Sequence, residues 1–126
     1  RALARALHAD VRFHGRVSRV RVRELLRGAG LCALLPRTHA DGSGAEGLGL
    51  TPLEAAAVGV PSVGCALGGV PEAVGPAGLV LDDPEDTRGS VAAIRAWWAP
   101  ERGAQARAWL EATHGVARTV RALRES

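Results

Sequence analysis

The sequence predicts an α/β domain built on a parallel sheet, and three observations carry that prediction. Short apolar runs, VRFHG (11–15), LCALLP (31–36), PSVGCA (61–66) and GLVLDD (78–83), alternate with stretches of helical character, which is the pattern of strand–helix–strand units. LCALLP is apolar throughout, as a strand covered on both faces requires. Helix-start signals fall where the alternation needs them: Ser18 before the first helical stretch, Thr51-Pro52 before the second and Asp83-Pro84 before the fourth.

In chain order, VRFHG puts Val11 and Phe13 on one face of a strand. SRVRVRELLRGAG then reads as a helix capped by Ser18, with Val20, Leu25 and Leu26 near helical spacing. LCALLP is the next strand. The loop from Arg37 to Ala45 follows, and behind it a helix through TPLEAAAVG. PSVGCA and GLVLDD are further strands, separated by LGGVPEAVG, a turn carrying one helical turn. Asp83 caps a helix with Pro84 at its first position, running through EDTRGSVAAIRAWWA, and one or two helices follow Pro100.

Composition narrows the function classes. A chain of 126 residues is one domain by length. All 16 basic residues are arginine and methionine is absent, which reads as GC-rich codon usage and as a fragment of a longer chain. No apolar run approaches the roughly 20 residues of a membrane span, and no signal peptide is visible, so a cytoplasmic setting is expected. Cys32 and Cys65 lie in separate apolar runs without a CxxC spacing, the pattern of buried free thiols and not of a disulfide or zinc site. The net charge of +3 invites a nucleic-acid reading, but half of the arginines fall within residues 1–27, alternating with Val and Leu as the wet face of a helix does. Aromatic side chains suited to base stacking are limited to Phe13, Trp97, Trp98 and Trp109. Nucleic-acid binding is therefore not expected. The three tryptophans read as packing anchors, and Gly68, Gly69, Pro71 and Glu72 as a structural turn. Of the scattered histidines, His39 lies in the ligand-side loop and His14 at a strand end.

The chemistry concentrates in DGSGAEGLGLTPLEAAAVG (41–59). A loop leaving the C-terminal end of a parallel strand opens where ligands bind in such sheets. Gly42, Gly44, Gly47 and Gly49 allow close approach of backbone to a ligand. A helix starting near Thr51 would aim its unpaired amides and positive dipole end into that loop, making an anion site suited to phosphate. Neither GxxxxGK[ST] nor a strict GxGxxG after a strand is present. TPLE fits a capping box with Thr51 as N-cap, Pro52 at the first helical position and Glu54 returning to the Thr51 amide. Glu46 has no such structural task. A carboxylate beside a phosphate is useful where it accepts hydrogen bonds from hydroxyls further along the same ligand, as on a sugar attached to a diphosphate.

Glu46 and Glu54 fit the spacing E-x7-E, and EGLGLTPLEAAAVGVPSVGCALGGVPEAV resembles the C-terminal donor-binding domain of retaining GT-B glycosyltransferases of family 4. VRFHGRVS, LPRTHADGSGAEG and AGLVLDDPED extend the likeness over nearly the whole chain. The resemblance implies a Rossmann-like α/β fold, one half of a GT-B enzyme. Residues 1–126 would be a partial C-terminal nucleotide-sugar-binding domain without the N-terminal acceptor domain or the first strand of the C-terminal one. It implies retaining transfer of a hexosyl group from a UDP-, GDP- or ADP-linked sugar to an acceptor hydroxyl, without metal or other cofactor. Glu46 would bind hydroxyls of the donor sugar, and the amides of Gly47, Leu48, Gly49, Leu50 and Thr51 would hold the diphosphate. Glu54 would accept from the ribose hydroxyls, and Val17 with Ser18 would contact the base through the backbone. The full-length enzyme could associate peripherally with the inner face of a membrane. Arg37 in place of serine, Leu48 in place of phenylalanine and the long loop before Glu46 depart from the family pattern. Two other readings stay open: a module that keeps the fold without turnover, and a sugar-nucleotide epimerase that would need no acceptor.

Overall fold

The computed structural model describes residues 5–37 and 49–115. Helix α1 (Arg19–Arg27) leads into strand β1 (Cys32–Leu34), followed by α2 (Leu50–Ala57), β2 (Ser62–Cys65), α3 (Val70–Val74), β3 (Leu79–Leu81), α4 (Thr87–Trp97) and α5 (Arg102–His114). The three strands form one parallel sheet in the order β1-β2-β3, with Ala33 beside Val63 and Gly64 beside Val80. Helices flank it. This is the predicted Rossmann-like α/β arrangement, with the C-terminal ends of all three strands on one edge.

Strand β2 is buried along its whole length, as the middle strand should be. Val63 on β2 and Val70 on α3 are both fully buried, and burial of a valine side chain stabilises by about 1.5–3 kcal/mol. On the other side of the core, Cys32, Ala55 and Val60 pack with Leu26, Ala29 and Val58, which seats α1 and α2 on β1. Ala56, Ala77 and Ala106 form a second cluster with Leu110 under α5. Small residues set the helix spacing there: Gly103 lies so near the Gly59 carbonyl that a β-carbon at 103 would overlap it.

The tryptophans tie elements together. Trp98 Nε1 donates to the Gly30 carbonyl at 3.4 Å, joining the end of α4 to the approach of β1. Arg102 stacks over Trp97, 5.5 Å from the ring centroid, and its Nε donates to the Trp97 carbonyl. Trp109 meets His114 edge-on at 5.2 Å and leaves no room for a side chain at Gly75.

Four expectations need correction. VRFHG forms no strand: residues 11–15 carry no regular secondary structure, and Val11 and Phe13 are 50% and 53% exposed, whereas a strand of such a sheet would have them covered. β1 is not covered on both faces, since Ala33 is exposed between buried Cys32 and half-buried Leu34. The helix after β3 begins at Thr87 with Asp86 as N-cap, whose carboxylate accepts from the Gly89 amide at 3.0 Å. Asp83 instead accepts from the Glu85 amide at 2.9 Å, closing a turn around Pro84. Lastly, α2 starts at Leu50, with Gly49 as N-cap in the left-handed region (φ 70°) and no side-chain cap. Thr51 and Pro52 are thus the second and third helical residues. A proline there gives up an amide that has no intrahelical partner in any case, so the TPLE capping box does not form.

Candidate donor-binding site

Two features of the sequence fix where the helices that border the candidate site begin. Ser18 caps α1, its Oγ accepting from the Arg21 amide at 3.2 Å, and this fixes where α1 begins relative to half-buried Val17. The left-handed Gly49 fixes where α2 begins. Ser18 therefore has a local structural task besides any contact its backbone makes.

At the start of α2, Gly49 is buried, Leu50 and Thr51 are exposed and Pro52 is buried. The amides of Leu50 and Thr51 belong to the first turn, where no intrahelical carbonyl is within reach, and the helix dipole adds partial positive charge there. Glu54 stands one turn further on, exposed. With the capping box gone, no hydrogen bond or ion pair joins Glu54 to another described residue. Glu46, Gly47 and Leu48, and with them His39, lie outside the described residues.

Glu54 borders a groove of about 230 Å³ between α1 and α2. Glu54, Ala57 and Val58 form one wall, and Arg19, Val22, Arg23 and Leu26 the other. Both arginines are exposed, as the wet-face reading of α1 expects. One turn apart, they flank half-buried Val22 and Leu26 on a helix without buried residues. Beneath the groove, burial pushes the Cys32 thiol pKa up, with the Ser62 hydroxyl opposing the rise and the Glu54 charge adding to it. Cys32 and Cys65 are both free and buried.

A second cleft, about 240 Å³, opens at the C-terminal ends of the strands, bordered by Pro36, Arg37, Cys65, Leu67, Asp82 and Glu85 among others. Arg37 Nε lies 3.6 Å from Glu85 Oε1, and Cys65 Sγ lies 3.6 Å from the Pro36 carbonyl. The described residues thus border two separate recesses, one between α1 and α2 and one at the strand ends. Among the described residues no group of three His, Cys, Asp or Glu is placed to hold a metal ion, and no helix is long and apolar enough to cross a membrane.

A parallel sheet flanked by helices, with an open helix start and an exposed carboxylate one turn inside it, is the Rossmann-like α/β class of one half of a GT-B fold. Residues 1–112 match the family described as "Glycosyl transferases group 1", and the chain belongs to that family. It is also similar to a GDP-mannose-dependent monoacylated alpha-(1-6)-phosphatidylinositol monomannoside mannosyltransferase of Corynebacterium glutamicum, with 41% identity over 83 residues. That match covers 65% of this chain and 22% of the relative, so the chain spans about a fifth of that protein's length.

Proposed function

We propose that this chain is the donor half of a two-domain, GT-B, family 4 retaining glycosyltransferase, holding a nucleotide-diphosphate sugar for hexosyl transfer to an acceptor hydroxyl. The observation that carries the reading is Glu54: a carboxylate without a described partner, on a groove, one turn from the open amides of α2. A ribose diol offers two donors to such a carboxylate, and a charged acceptor makes stronger hydrogen bonds than a neutral one. The amides of Gly47 to Thr51 would bind the diphosphate as it leaves with negative charge. Preorganised donors of this kind are worth on the order of 3–4 kcal/mol each in a transition state. Glu46 would orient the sugar through its hydroxyls, and Val17 and Ser18 would border the base. The reaction as proposed needs no metal.

An acceptor-binding domain elsewhere in the protein would place the hydroxyl against the anomeric carbon. The relative's name specifies a phosphatidylinositol mannoside acceptor and a GDP-mannose donor, so a lipid-linked acceptor at the inner membrane face and a GDP-linked hexose are the first candidates to assay. The test uses the full two-domain protein with Glu46→Gln and Glu54→Gln. Each variant should fold, and each should lose most transfer; proton NMR of the product should show the donor's anomeric configuration kept. Unchanged turnover in both folded variants, or an inverted product, would overturn the reading.

A further inference from the structure

We propose that Arg19 and Arg23 read the base of the donor and favour a 6-oxopurine, guanine or hypoxanthine, over adenine and uracil. The inference rests on the donor-site reading of Glu54 and adds the side chains that would tell one base from another.

Three observations lead to it. Arg19 and Arg23 are four residues apart on α1 and both border the groove that Glu54 faces. Val22, Leu26, Ala57 and Val58 line the same groove, which gives a flat ring apolar surface to lie against. The charges on the two walls do not meet: no ion pair joins Glu54 to either arginine among the described residues, so the groove keeps an anion and two cations apart with space between them. Arg21, on the same helix, is instead engaged by Glu24 at 2.9 Å and does not border the groove.

The chemistry of the guanidinium then selects the base. It carries donors only, in a planar fork, so the ring edge it pairs with must present two neighbouring acceptors. Guanine does so with O6 and N7, and hypoxanthine keeps both. Adenine puts an amino donor beside N7, which sets donor against donor. Uracil offers one carbonyl on the corresponding edge and a smaller ring to cover the apolar lining. The carboxylate across the groove remains free for the ribose.

The experiment is calorimetric titration of the full two-domain protein with GDP, IDP, ADP and UDP, for the wild type and for Arg19→Ala, Arg23→Ala, Arg19→Lys and Arg23→Lys. Circular dichroism checks each fold. GDP and IDP should bind within about threefold of each other and at least about tenfold more tightly than ADP, the scale of one good bidentate contact. The alanine variants should shrink the GDP/ADP ratio severalfold with little change for ADP. The lysine variants should do the same, because they keep charge and lose the fork. If instead the alanine variants weaken all four nucleotides equally and lysine restores them, the arginines serve the phosphates and the base-reading proposal is wrong. It is equally wrong if GDP binds and IDP does not. Glu54-dependent binding with no base preference would remove this proposal alone; no binding of any nucleotide would remove the donor-site reading with it.

Discussion

Gly64 on β2 stands directly beneath Val70 on α3, with no space for a side chain between them. A β-carbon at position 64 would lie 2.5 Å from Val70 Cγ1 and 2.8 Å from Val74 Cγ2. Neither neighbour can yield easily, because Val70 is fully buried and Val74 nearly so. Gly64→Ala should therefore destabilise the domain by about 1–3 kcal/mol, the usual cost of overpacking. Gly64→Ala/Val70→Ala should be more stable than the sum of its two single changes predicts, since the second removes the closer of the two clashes made by the first. Denaturant unfolding of the four proteins checks it; strict additivity would mean that the sheet moves aside at no cost.

Ser18 and Thr51 give a paired expectation. Ser18→Ala removes a side-chain oxygen that satisfies the Arg21 amide and should cost about 1 kcal/mol. Thr51→Ala should cost well under that, because Thr51 lies inside α2 and caps nothing. A Thr51 variant that melts as early as the Ser18 variant would restore the capping box.

For the same reason Glu54→Ala and Glu54→Gln should melt close to the wild type and close to each other. Both should lower affinity for nucleoside diphosphate. Losing stability only with alanine, and no affinity with either, would make Glu54 a helix cap and not a ligand group.

Arg37 and Glu85 pair across the strand-end cleft with both side chains mostly exposed, 75% and 69%. Such a pair contributes about 0–1 kcal/mol, so Glu85→Ala should leave the melting temperature nearly unchanged. It should tighten nucleoside diphosphate binding by up to about fivefold at low salt, since a carboxylate leaves the cleft and the guanidinium is released. The gain should shrink as added salt screens it. A change in melting temperature without a change in affinity would show the pair to be structural.

Cys32 supplies a pH dependence. Burial favours its neutral thiol in the folded protein, so the unfolded chain gives up that proton first and the native state binds more protons over the window between the two values. The stabilisation is complete below the ordinary thiol range near about pH 8.5 and is lost as the pH rises through the higher folded value. Unfolding free energy should thus decline with alkaline pH more steeply in the wild type than in Cys32→Ala. Parallel slopes would assign the decline to other groups.

Local signals made part of this molecule legible. PSVGCA and GLVLDD gave β2 and β3, and Ser18 gave the start of α1, because an apolar run and a capping hydroxyl act within a few residues. VRFHG has the same local character as those strands and is irregular, with Val11 and Phe13 exposed, since which apolar runs become covered depends on distant segments that no local pattern names. At the start of α2, Gly49 and Thr51 were both acceptable caps; the choice fell to the left-handed backbone that only the glycine adopts without strain. Glu54 was singled out through its family spacing. That Arg19 and Arg23 border the same groove was not legible, because helical periodicity identifies which residues share a face and says nothing of the distant segment that face will meet.

The left-handed turn at Gly49 also bears on how such a domain can change over time. A residue with φ of 70° is a sharp joint, and the direction of α2 is set behind it by buried Pro52, Ala55 and Ala56. Sequence change ahead of that joint can therefore be absorbed at Gly49, and the heading of α2, with Glu54 upon it, is kept by the helix's own packing against the sheet.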